Sequence, residues 1–251
     1  MSSSIWTQCA GESNLRPLTL EPRRVVEAQH QIATRKLVDT NAEQAVLEDL
    51  IERVKPPDPT RGKLHYLLAT PFRYPPLPYG SRFGTRAERG IFYGSESLRT
   101  AFAETAYYRL LFLEGTRADL GTLETQHTVF SITVRTAQGI DLTQAPFDKR
   151  RDVISSKTRY GATQALGRAM RDAGVETFRY RSARDREGGV NIGIFNPRVF
   201  GRRRPRHIEN WYCAAGRQQV ELRKRDYFDR ASYAFPREDF LVRGELPLPA
   251  P

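Results

Sequence analysis

After residue 64 the chain breaks into seven short apolar or alternating runs separated by only two long helical stretches, and this rhythm restricts its fold more than any other feature. The runs cover 65–69, 90–94, 128–135, 175–182, 191–196, 211–215 and 220–224, and their length and turn-rich borders read as strands. The helical stretches cover about 97–113, ending near Gly115, and about 161–173, ending at Gly174. The run 175–196 reads as a hairpin around 185–189. Strands in groups with helices at irregular intervals predict an α+β fold rather than the regular alternation of a doubly wound sheet. Neither G-x-G-x-x-G nor a Walker A loop is present, so the common phosphate cradles are absent from the sequence.

The stretch before residue 64 reads differently. Pro22 suits a first helical turn, and Val25, Val26, Gln29, Ile32, Ala33 and Leu37 follow at roughly helical spacing, predicting a helix over about 22–38. Asn41 then resembles an N-cap with Gln44 three residues on, and Val46, Leu47, Leu50, Ile51 and Val54 form one face until Pro56 and Pro57 stop it. Two isolated amphipathic helices would leave apolar faces wet, so both are expected to pack on the domain C-terminal to them. The expected organisation is a helical extension over 1–62, a catalytic domain over 63–199, and a basic segment over 200–251. That last segment is expected to pack on the catalytic domain and to end in a flexible proline-rich tail.

Charge is distributed unevenly. The net value is +11, but residues 1–62 hold 8 Lys/Arg against 9 Asp/Glu, which leaves +12 for the remainder. Such a field attracts a phosphate-bearing small molecule, nucleic acid or an acidic protein. Cys9 and Cys213 are too few for a disulfide framework and lack metal-ligand spacing, and the four histidines are scattered, so no metal site is expected and a reducing cytoplasm is the expected location. The first residues lack a signal-peptide pattern, and no apolar run approaches the roughly 18 residues of a membrane span.

Chemistry-bearing residues concentrate between 71 and 104: Arg73 and Tyr74, then Arg82 in a turn-rich stretch, Tyr93 on a strand and Glu104 on a helix. Glu104 is the unusual one. At three and four residues its neighbours are Ala101, Tyr107 and Tyr108, so it lies on an apolar and aromatic face where a carboxylate needs a partner or a purpose. The plain alternative is an Arg–Glu ion pair tying strand to helix, with Tyr93 as a core tyrosine.

The segments Phe72-Arg73-Tyr74, Gly80-Ser81-Arg82-Phe83-Gly84, Ile91-Phe92-Tyr93-Gly94-Ser95 and Ala103-Glu104 resemble the RES domain, the family named for an Arg, a Glu and a Ser. The later segment Phe178-Arg179-Tyr180-Arg181-Ser182-Ala183-Arg184, with Gly188-Gly189 and Asn191 onward, resembles its serine region, which makes Ser182 the serine. The N-terminal segments Arg24-Val25-Val26-Glu27 and Thr34-Arg35-Lys36-Leu37-Val38-Asp39 resemble the extension of one subgroup. The resemblance implies an ADP-ribosyltransferase-like fold and a toxin of a type II toxin–antitoxin pair that degrades NAD by hydrolysis or phosphorolysis. NAD is then a substrate and no cofactor is needed. An Xre-type antitoxin is implied as partner, touching DNA on the toxin's behalf through its helix-turn-helix, with room for a homodimer in a larger complex.

Losing nicotinamide from NAD generates oxocarbenium character, as in glycoside hydrolysis, but nicotinamide leaves as a neutral molecule and needs no general acid. One carboxylate can therefore suffice, and Glu104 is the candidate. With it in the catalytic set stand Arg82 and Tyr93; Arg73, Tyr74 and Ser182 are assigned to substrate binding. Arg73 and Arg82 would hold phosphate oxygens, Tyr74 and Tyr93 would face the nicotinamide ring, and Ser182 would bond Glu104 or the ribose. No base stands beside Ser182 to make it a nucleophile. A protein ADP-ribosyltransferase of the arginine-modifying kind would carry Glu-x-Glu, whereas Phe102 stands two residues before Glu104. A ribonuclease is the other alternative, suggested by Arg198, Arg202, Arg203, Arg204 and Arg206 with His207 and Trp211. A third reading is a non-catalytic module whose basic surface binds an acidic partner.

Overall fold

A computed structural model of the chain describes residues 4–28, 37–60 and 62–248. Six α-helices occur among them: α1 (Ile5–Gln8), α2 (Asn41–Val54), α3 (Tyr66–Arg73), α4 (Leu98–Glu114), α5 (Arg151–Ile154) and α6 (Gly161–Asp172). The ten strands are β1 (Arg16–Leu20), β2 (Arg23–Glu27), β3 (Phe92–Ser95), β4 (Leu123–Ser131), β5 (Val134–Asp141), β6 (Thr177–Arg181), β7 (Val190–Ile194), β8 (Arg206–Ala215), β9 (Gln219–Lys224) and β10 (Ser232–Pro236). They form one mixed sheet in the order β1-β5-β6-β7-β3-β2-β4-β8-β9-β10, with β5–β6 the only parallel neighbours among the described residues. The fold is α+β, as the grouping of strands predicts.

Strand periodicity sorts the core into two faces. Phe178 of β6 and Val129 of β4 lie on the face covered by α6 and α4, whereas Phe92, Phe130, Ile192 and Ile194 lie on the opposite face under Leu68 and Phe72 of α3. Helix α4 begins at Ser97, whose Oγ accepts from Thr100 N, and ends at Gly115. Its buried stripe of Phe102, Ala106, Tyr107, Leu110 and Leu113 packs on Trp211, Val220 and Leu222. Each such fully buried large side chain contributes about 1.5–3 kcal/mol, which fixes the rotation of α4 and with it the direction of Glu104.

Three expectations are corrected. The 22–38 helix is replaced over its first part by β2, whose half-buried Val25 and Val26 pack against the cores on opposite faces; a β-branched pair facing both ways suits a central strand better than a helix. Residues 29–36 of that reading lie outside the described residues. The run 65–69 is not a strand but the start of α3, with His65 Nδ1 accepting from Leu67 N, because a five-residue apolar run fits either period. Helix α2 is present but capped by Thr40 and Glu43 rather than Asn41 and Gln44, and its Val46, Leu50 and Val54 are exposed rather than packed. In the C-terminal part, β8, β9 and β10 complete the sheet and pack on α4. The exposed arginines 202–204 form the turn leading into β8. Among the described residues no helix is long and apolar enough to cross a membrane.

Candidate active site

The centre of the sheet is split. Strand β2 pairs with β3 at Arg23–Ser95 alone before turning to β4, with which it pairs over five residues. A cavity of about 290 Å³ lies at this divergence, lined by Arg24 of β2, Tyr93 and Ser95 of β3, Glu104 of α4, Arg82, and Asn191 of β7.

Glu104 is held by neutral donors. Its Oε1 accepts from Ser182 Oγ at 2.7 Å and from Asn191 Nδ2 at 2.6 Å, and no donor among the described residues reaches Oε2. Each donor is itself oriented. Ser182 Oγ accepts from the backbone N–H of Arg184 and of Asp185, both at 3.0 Å, so its proton has only Glu104 to go to. Ser95 Oγ donates to Asn191 Oδ1 at 2.7 Å, which turns the amide NH₂ toward Glu104. The result is a partly buried carboxylate that lines the cavity, with one oxygen fixed and the other without a donor among the described residues.

The loop carrying Arg82 is pressed against α6. A Cβ at Gly167 would stand 2.0 Å from Phe83 O, so only glycine permits this approach. Arg82 donates from Nη1 to the carbonyls of Ile154 (3.3 Å) and Ser156 (2.7 Å), and its guanidinium lies 4.6 Å from the centre of the Tyr160 ring. No acceptor among the described residues engages Nη2. Tyr93 ties the same loop down through Ser81 Oγ at 3.0 Å and Phe83 N at 3.3 Å, and desolvation pushes its phenol up to about 12, so it stays neutral. Tyr180 is raised well above its ordinary value, first by burial and then by the Glu104 charge. The serine loop is locked onto α4 as well: Thr100 Oγ1 donates to Asp185 Oδ2 at 2.8 Å, and a Cβ at Gly189 would strike Thr100 Oγ1 at 2.0 Å.

Four of the six expected residues are thus brought together: Glu104, Arg82, Tyr93 and Ser182. Tyr74 lines an adjoining cleft instead. Arg73 lines neither; it closes the end of α3 by donating Nε to Pro56 O at 2.5 Å and pairing with Glu52 at 2.9 Å. Its place is taken by Arg24, which donates to Tyr93 O at 2.5 Å, lies 4.9 Å from the Phe92 ring, and forms no ion pair among the described residues. Desolvation lowers Arg24 to about 10, which leaves it charged at neutral pH, and its Nε has no partner among the described residues. Asn191 is the other residue without an expected role. Arg24 was concealed by the helical reading of its segment; Asn191 carries no signal beyond its position two residues after Gly189. Among the described residues no group of three His, Cys, Asp or Glu side chains is placed to hold a metal ion.

The family model for the RES domain matches residues 50–214, more than half of the chain. It brings with it the ADP-ribosyltransferase-like fold, in keeping with the mixed sheet. No curated protein matches the chain.

Proposed function

The chain belongs to the RES domain family, the toxins of toxin–antitoxin systems, and we propose that it degrades NAD by cleaving the bond between nicotinamide and ribose. The observation that carries this reading is Glu104, a carboxylate fixed through one oxygen by two neutral donors and lining a cavity whose remaining charged lining groups are arginines. A carboxylate so placed stabilises positive charge that develops on a bound sugar, and the arginines suit a substrate with a pyrophosphate.

As the glycosidic C–N bond lengthens, its electron pair passes to the pyridinium nitrogen and nicotinamide departs neutral, so no proton need be delivered. The ribose C1′ takes on oxocarbenium character, which Glu104 Oε2 stabilises at close range or through a ribose hydroxyl. Water or hydrogen phosphate then adds to C1′ and the surplus proton is released. Ser182 and Asn191 keep the carboxylate at the required angle. Arg24 and Arg82 hold the phosphates, and Tyr93 keeps the Arg82 loop in register through its Ser81 and Phe83 bonds.

Phe102 stands where a second carboxylate would be needed to direct transfer to a protein arginine. It is fully buried against Trp211 with ring centres 4.6 Å apart, which favours a small acceptor. In the cell this activity would deplete NAD and arrest growth, and an antitoxin of the Xre type would restrain it. Incubating the antitoxin-free protein with NAD, with and without phosphate, identifies the products by mass: ADP-ribose for hydrolysis, its 1-phosphate for phosphorolysis. Glu104→Gln is expected to lose NAD turnover while still binding antitoxin; normal turnover in this variant would refute the mechanism.

A further inference from the structure

The cavity around Glu104 encloses about 290 Å³, at the bottom of the roughly 300–1,000 Å³ range of small-molecule pockets. A dinucleotide needs more room than that. Beside it opens a second cleft of about 800 Å³, and the two share Arg24, Ser81, Tyr93, Tyr108 and Tyr160 as common walls. The far wall is formed by Tyr74, Leu77 and Tyr79 of the proline-rich loop after α3, together with Leu248.

The lining is informative. Tyr74, Leu77, Tyr79, Tyr108 and Leu248 are all exposed, although apolar side chains gathered in one place on a surface ordinarily mark a binding groove. No carboxylate among the described residues lines this cleft, and its one charged group there is Arg24, at the junction with the Glu104 cavity. Moving outward, the order is a carboxylate, then a cation without a carboxylate partner, then aromatic faces. NAD presents the matching order of a cationic nicotinamide riboside, an anionic pyrophosphate, and a flat, uncharged adenine.

We propose that the tyrosine-rich cleft is the adenosine subsite, with the pyrophosphate crossing Arg24; this rests on the NAD reading above and names the part of the chain that selects the dinucleotide. Tyr79 and Tyr74 offer the adenine a stacking surface, since purines stack on aromatic side chains without needing specific hydrogen bonds. Tyr74 therefore serves the adenine end rather than the nicotinamide end expected from its sequence position.

Nicotinamide mononucleotide has the same scissile bond and no adenosine, so it separates the two halves of the site. The full chain, free of antitoxin, is assayed for kcat/KM on NAD and on nicotinamide mononucleotide. The wild type is expected to prefer NAD by about tenfold or more, the size of one base-stacking contact. Tyr79→Ala, at a residue 67% exposed and so removable without opening the core, should reduce that preference about tenfold, mainly through KM, and Tyr79→Trp should restore it. Tyr74→Ala should act in the same direction. Equal use of both substrates by the wild type, or variants that slow both substrates alike, would overturn the subsite while leaving NAD cleavage intact. An unchanged preference coupled to lost antitoxin binding would give the cleft to a protein partner. A wild type that cleaves neither substrate would remove the NAD reading itself, and the subsite with it.

Discussion

Asp141 and Glu104 are both withdrawn from water, wholly or in part, and they are treated in opposite ways. Asp141, at the end of β5, is buried and neutralised: Arg16 lies 3.0 Å away, Arg179 also bonds it, and the backbone N–H and hydroxyl of Thr143 take its other oxygen. Glu104 has no arginine or lysine partner among the described residues; a serine and an asparagine hold it. Cationic partners cancel a carboxylate's field, whereas neutral donors fix its position and leave its charge available to a cation arriving from outside. The ion pair that a bland reading of the sequence would give to Glu104 exists in this protein, but at Asp141.

The contrast is open to breakage at both ends. Glu104→Gln keeps an oxygen for Ser182 and Asn191 but removes the charge, so kcat for NAD should fall by about 10²–10³-fold or more with little change in the urea midpoint. Asp141→Asn should do the reverse. It leaves Arg179 with Glu96 alone, removes the partner of Arg16 and loosens the β1–β5–β6 edge, costing about 1–3 kcal/mol in a urea titration, while activity per folded molecule stays close to normal. Asn191→Ala and Ser182→Ala each delete one of the two donors, and each should lower kcat about tenfold, the worth of one hydrogen bond to a charged group; KM should move less than kcat.

His127 is the mildest test, because it asks what happens when a buried group beside an arginine must gain charge. Burial, and then the Arg109 guanidinium 3.1 Å from its Nε2, lower the imidazole to about 4. A depressed value means that the unfolded chain binds the proton more readily. Stability is therefore intact above about pH 6.5 and declines as the pH falls toward 4, by up to about 2–3 kcal/mol. His127→Gln should flatten that stretch of a stability–pH curve measured by urea unfolding.

Much of this could be read before the fold was known. Helix α4 announces itself through Ser97, Gly115 and a dense apolar stripe, and a carboxylate on that stripe is conspicuous in one dimension. Ser182 and Arg82 came from short ordered motifs. What stayed hidden depends on contacts distant in sequence. Arg24 and Glu104 are eighty residues apart, and nothing local distinguishes a valine pair in a central strand from one on a helix face. Arg73 misled for the converse reason: it sits in a motif next to Tyr74, but one turn of α3 directs it toward Pro56 and Glu52. Asn191 gains its meaning only when β7 pairs with β3, which puts Ser95 behind it.

The single Arg23–Ser95 pairing divides the sheet at its centre. Ten strands joined at mid-sheet by one register pair form two plates, tied further by Arg23 donating to Glu96 O and Arg24 to Tyr93 O, in contrast to the long β4–β8 ladder beside it. The plates carry different parts of the chemistry: Arg24 travels with one, Tyr93, Asn191 and the serine loop with the other, and α4 spans both. The make-up of the site is therefore set by how the two plates lie against a single helix.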